Sequence, residues 1–292
     1  MGTASWADKS LIQSGKFYPP EVKNAEDRLR FYADHFPLVE VDSSYYALPS
    51  PEMAQAWAER TPPGFLFNVK AFRLFTGHQA QPRVLPTDLR QALALDPTKN
   101  IYLKDLPQEI REQLWLRQAE AVQPLKAAGK FGAWHFQFAP WLAFHPENRA
   151  LLEDSRSHLG HDQMAVEFRN SSWYDQKHLN YTLDFLRELR ASHVVVDAPR
   201  GVKPEIPTVW AVTDQRLALL RLHGRNAETW NKKGLKTSSE RFNYDYSEAE
   251  LAELATPVKA LRAQAAQVDV LFNNNHEDQG QRNARTFRRL LG

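Results

Sequence analysis

The stretch 217–225, L-A-L-L-R-L-H-G-R, constrains the fold of this chain more than any other. From Arg221 onward every second residue is a cation or can become one: Arg221, His223 and Arg225. Leu220, Leu222 and Gly224 stand before and between them. A period of two marks a strand whose two faces see different surroundings. The leucine face must pack on apolar helices. The opposite face carries guanidinium and imidazole groups, which are almost never buried without partners. The stretch therefore reads as one stave of a barrel, with the rest of the chain closing around its polar side.

At 292 residues, 42% of them apolar and 11% aromatic, the chain has the size and the core material of a single α/β barrel. Its 37 basic and 35 acidic residues leave a net charge of +2, which argues against a general electrostatic grip on nucleic acid or an anionic membrane. No cysteine is present, so disulfides, thiolate metal sites and cysteine nucleophiles are excluded. The opening M-G-T-A-S-W-A-D-K has no apolar signal core, and no apolar run approaches membrane-spanning length. The expectation is a cytoplasmic protein with no membrane partner; its oligomeric state is left open.

Eight strand-like segments recur along the chain, at about 2–6, 38–46, 65–72, 131–138, 164–170, 193–198, 217–225 and 268–275. Helical patterns separate most of them. Ser50-Pro51 supplies an N-cap and a first-turn proline, and Ser247 with Glu250 forms a capping box. Residues 199–215 hold three prolines and no credible helix, so the sixth crossover is expected to be degenerate. Residues 73–129 form a long excursion with one strong helix, about 107–128, bent at Pro124. The expected fold is thus an α/β TIM (β/α)8-type barrel, one domain over residues 1–292, with a rim insertion after strand three. A doubly wound sheet is the competitor, but no glycine-rich turn follows the first strand.

If the apolar parity of each strand faces the helices, the other parity faces the barrel interior. The inward set is Glu40, Asp42, Asn68, Lys70, His135, Gln137, Glu167, Arg169, Asp197, Arg221, His223 and Arg225, with Asn273 and Asn275 if the last strand keeps register. Most sit near the C-terminal ends of their strands, where barrel enzymes place their chemistry. A satisfied ion-pair network filling the barrel is the plain alternative for any one of these charges. Lys70, Arg169, Arg221 and Arg225 suit a phosphate or carboxylate. Glu167, Asp197 and His223 are the expected catalytic proton carriers. Trp6, Tyr45, Tyr46, Trp173 and Trp230 could stack on a sugar or base, or pack the rim. The carboxylates with His223 could hold a divalent metal, but no ligand spacing supports one and no metal ligand is assigned.

Eight ordered motifs carry a resemblance: G-T-A-S-W, F-Y-P, V-E-V-D-S-S-Y-Y, F-N-V-K-A, F-Q-F-A-P, V-E-F-R-N-S-S-W, R-L-H-G-R and F-N-N-N. The chain resembles the YecE-like family, the domain of unknown function 72, over almost its whole length. The resemblance implies a TIM barrel and brings no assigned activity. Its matched positions include Trp6, Asp42, Tyr45, Lys70, Arg169, Trp173, Arg221, Arg225 and Asn273, all taken as substrate-binding candidates. Asp42 stands where asparagine is more usual, and F-Q-F-A-P has alanine where a second proline is usual.

The leading expectation is an enzyme, a hydrolase or isomerase, acting on a small anionic, hydroxyl-rich substrate such as a sugar phosphate or nucleotide derivative. A metal-dependent hydrolase, isomerase or nuclease-like barrel is the second. The third is a non-catalytic nucleic-acid or protein-binding module using Trp230, Lys232, Lys233 and Lys236.

Overall fold

The computed structural model describes every residue except Ala94, Pro204, Lys236 and the side chain of Ser238. Its first half runs β1 (Gly2–Thr3), α1 (Lys9–Ser14), α2 (Ala25–Ala33), β2 (Leu38–Val41), α3 (Pro51–Glu59) and β3 (Leu66–Lys70). Then come α4 (Thr87–Ala92), α5 (Gln108–Ala121), α6 (Gln123–Ala127), β4 (Phe131–Gln137) and α7 (Pro146–His158). The second half holds β5 (Met164–Glu167), α8 (Leu179–Glu188), β6 (Ala191–Asp197), β7 (Leu217–Leu222), α9 (Ala227–Trp230), α10 (Glu248–Arg262), β8 (Gln267–Phe272) and α11 (Gln279–Leu291). The eight strands are parallel and close into a barrel in chain order, β1 pairing with both β2 and β8. No helix lies between β6 and β7 among the described residues, so that crossover is degenerate. No helix among them is long and apolar enough to cross a membrane.

Local chemistry explains the boundaries. Ser50 accepts a hydrogen bond from the Met53 amide with Pro51 in the first turn, and Ser247 and Glu250 cap α10 reciprocally. The strands are shorter than their alternating sequences, because each yields to a turn once the ladder ends. The excursion after β3 is only partly an insertion. Its later half is α5 and α6, which pack on α3 as the barrel's own third crossover layer. The helix breaks at Val122, just before Pro124 enters the first turn of α6. The six-residue α1 was not apparent in the sequence pattern.

The interior has two storeys. Leu38, Ala133, Ala165, Val194, Val196, Leu217, Leu219 and Leu271 form an apolar plug in the lower half, apart from the larger core between strands and helices. Above it the inward positions turn polar. The pairing of β3 with β4 shifts between Phe67 and Val69, which brings Lys70 opposite His135. Gly132 makes this possible: a Cβ there would stand 2.3 Å from Asn68 Oδ1, which accepts from the Ala133 amide at 2.9 Å. Gly132→Ala should push Asn68 away and cost about 1–3 kcal/mol of stability, read as a lower urea midpoint. An unchanged midpoint would mean the shift does not depend on that close approach.

Candidate active site at the barrel mouth

Arg221 forms the centre. Its guanidinium donates to Glu40 Oε1 at 2.6 Å and to Glu167 Oε2 at 2.7 Å. His135 bridges the same two carboxylates, Nδ1 lying 2.9 Å from Glu40 and Nε2 3.1 Å from Glu167. Arg169 Nε sits 2.5 Å from Glu167 Oε1, which also accepts from the Gln137 amide at 2.7 Å. Burial opposes the charge of Glu40, but Arg221, His135 and Lys70 outweigh it and hold its pKa at about 2. Burial likewise opposes the charge of Glu167, and Arg169, Arg221 and His223 take its pKa well below the usual carboxylate range. Arg221 moves the other way: burial disfavours its charge, and the two carboxylates more than compensate.

His223 lies over this lattice, fully buried. Burial, then the Arg169 cation, push its pKa down to about 3. Its Nε2 faces N–H donors from Arg169 at 3.1 Å and Arg221 at 3.5 Å. The Glu167 Oε1 carboxylate oxygen lies 3.4 Å from the same Nε2. The Asn273 side-chain Nδ2 lies 2.8 Å from Nδ1. Towards solvent, Lys70 donates to Asp42 at 2.7 Å and Gln137 at 3.2 Å and lies 4.7 Å from the centre of the Tyr45 ring.

Asp42, Tyr45, Lys70, Glu167, Arg169, Arg221, His223 and Asn273 therefore meet at the C-terminal end of the barrel. Four of the sequence-derived candidates do not. On β6 the inward residues are Val194 and Val196, so Asp197 takes the opposite parity. There it accepts from both Arg225 Nε at 2.9 Å and Tyr246 OH at 2.6 Å, behind the wall. Arg225 loses the alternation of β7 because Gly224 turns the chain with φ +84°. Trp6 packs edge-on against Trp57 and Phe67, on the outward face of β3. Trp173 is buried, stacked 4.1 Å from Phe168, with its indole N–H on the Leu142 carbonyl. Both tryptophans belong to the strand–helix layer.

Beside the lattice opens a cleft of about 460 Å³, lined by His78, Gln137, Phe138, Arg169, Trp230, Arg241 and Phe242 among others. Trp230 and Phe242, from the loop after β7, lie 6.0 and 5.9 Å from the His223 ring and roof it. Besides Arg241 and Phe242, two contributors with shifted pKa values were not singled out from the sequence. One is His78, whose pKa burial and then Arg73, Lys70 and Arg169 push down to about 4. The other is Asp8, which burial and then the Asp42 carboxylate raise to about 7. Asp8 precedes α1, yet its side chain makes no cap hydrogen bond. Among the described residues no group of three or more His, Asp or Glu is arranged to hold a metal ion. Lys232 and Lys233 are exposed on the loop after β7, and Lys236 lies outside the described residues.

Fold and mouth define a TIM-type barrel whose interior is plugged below and charged above. The model of the family described as protein of unknown function DUF72 matches residues 1–292, and the chain belongs to that family. It is 30% identical to the UPF0759 protein YunF of Bacillus subtilis (strain 168), over 100% of this chain and 94% of that protein. Among solved structures, it is similar to the DUF72 protein EF0366 of Enterococcus faecalis V583, with TM-score 0.80 and 27% identity over 99% of this chain and 94% of that one. It is also similar to the DUF72 protein TM1631 of Thermotoga maritima MSB8, with TM-score 0.76 and 27% identity over 100% and 99% of the two chains.

Proposed function

We propose that this protein is an enzyme that takes a small anionic, hydroxyl-bearing substrate, a sugar phosphate or nucleotide derivative, at the barrel mouth. Lys70 and Arg169 are its anion contacts. The observation that carries this reading is the cleft beside the lattice, whose charged lining residues, Arg169 and Arg241, are both cations. No carboxylate lines that cleft among the described residues. Glu167 and His223 are assigned a supporting role. A carboxylate accepting from Arg221 and Gln137 and touching Arg169 is a poor base at neutral pH, and it fixes the Arg169 guanidinium in direction. Asp8 is the carboxyl suited to carry a proton near neutrality, with Asp42 close by.

A thermal-shift series with phosphorylated sugars and nucleotides tests the reading. A ligand at about 100 times its Kd adds about 2.7 kcal/mol and raises the melting temperature. Lys70→Met should weaken the shift, and absence of stabilisation by every anion tried would count decisively against the proposal. The affinity should also depend on pH. Asp8 gains a negative charge as pH rises through about 7, so anion binding should weaken over that range. In Asp8→Asn the part of the pH dependence due to this group should vanish; an identical profile in both proteins would remove Asp8 from the mouth's electrostatics.

A further inference from the structure

The cleft beside the lattice offers aromatic faces rather than hydroxyl partners. His78 lines one side, and Trp141, outside the lining, stands edge to face with it, ring centres 5.3 Å apart. Trp230 and Phe242 stand edge to face at 6.0 Å in the loop after β7. Trp141 is 53% exposed, one of the few large apolar side chains so open to solvent. The polar groups at the cleft are mostly committed. Gln137 accepts from Lys70 and donates to Glu167, and the Asn231 amide donates to the Lys203 carbonyl at 2.8 Å. A bare sugar ring would find few free acceptors there. Cations remain available: Arg241 is exposed and pairs with no carboxylate among the described residues, and Arg169 Nη1 has no partner among them.

We propose that the substrate is a nucleoside phosphate, its base stacked against Trp230 and Phe242 and its phosphate held by Arg169 and Arg241. This rests on the anion reading above and narrows it. Every nucleobase has a flat face for an aromatic wall, and such stacking is worth about 1–3 kcal/mol per base. The Arg169 guanidinium lies 5.7 Å from the Trp230 ring centre, which ties the anion contact to the stacking surface. The His78 ring, neutral at physiological pH, adds a further flat surface without further charge.

The experiment is a titration of the whole protein with adenosine monophosphate, ribose 5-phosphate and inorganic phosphate, read by calorimetry. Adenosine monophosphate should bind about tenfold or more tightly than ribose 5-phosphate. Trp230→Leu, and separately Phe242→Leu, should narrow that ratio, which compares two ligands in one folded protein and so is insensitive to a change in stability. Equal affinities for the nucleotide and the sugar phosphate would overturn the stacking assignment while leaving the anion reading standing. Binding of none of the three would overturn both.

Discussion

Replacing Arg221 by methionine is expected to cost about 3–5 kcal/mol of stability, the largest loss from any single substitution at the mouth. The change removes the cation that faces Glu40 at 2.6 Å and Glu167 at 2.7 Å, and all three side chains are at most 1% exposed. Two carboxylates would then share a buried site with His135 between them and Arg169 on one side only. Attraction between buried charges does little more than offset their desolvation, so the intact lattice adds little net stability. Removing one partner is a different matter, because the desolvation of the others is no longer offset. Urea denaturation measures it directly. Arg187→Met, which breaks the exposed pair with Asp184, is the control and should leave the midpoint nearly unmoved. If Arg221→Met denatured at the wild-type midpoint, the lattice would have to be hydrated and loose.

The second large effect is a steep loss of stability on acidification. His223 and His193 are buried with pKa values pushed down to about 3 and about 4, chiefly by desolvation. The unfolded chain takes up protons on these rings below about 6.5, while the folded chain refuses them. Stability is therefore whole above about 6.5 and falls as pH drops towards 3, at about 1.4 kcal/mol per unit per ring. Glu40 adds to the slope lower down. Its pKa of about 2 lies beneath its ordinary 4.5, so its contribution is present above about 4.5 and is lost as pH falls to 2. Glu167 acts in the same direction. Asp8 runs against them: its raised pKa favours folding less as pH climbs from about 4 to about 7. Denaturation midpoints measured every half unit from pH 7 to pH 4 should fall throughout, and His223→Gln should flatten the upper part of the fall. A flat profile would mean the rings titrate freely in the native state.

How far the sequence carried these conclusions depended on whether a strand's two faces differ in kind. On β2, β3, β4, β5 and β7 a charged or amide residue alternates with an apolar one, and the inward face was legible at once. On β6 it was not. Val194, Val195 and Val196 are alike, so nothing marked which valines point inward, and Asp197 was placed by its position at the strand end. Arg225 was misplaced for a backbone reason, since a residue with φ +84° at Gly224 interrupts the alternation that Arg221 and His223 obey. Trp6 and Trp173 follow strands, as rim residues do, but turns carry both rings back over the outward phenylalanines Phe67 and Phe168. Asp8 was hidden because an aspartate before a helix reads as a cap, and only coordinates show that its carboxyl makes no cap bond. The excursion after β3 looked too long to be a crossover. Its length comes from a short helix and single turns added ahead of α5.

The lower storey of the barrel, from Leu38 to Leu271, has a consequence for traffic through the molecule. It makes the cylinder a cup and not a pipe. A solute that reaches Arg169 has no exit at the far end, so arrival and departure share one doorway, and whatever leaves must clear it before the next can enter.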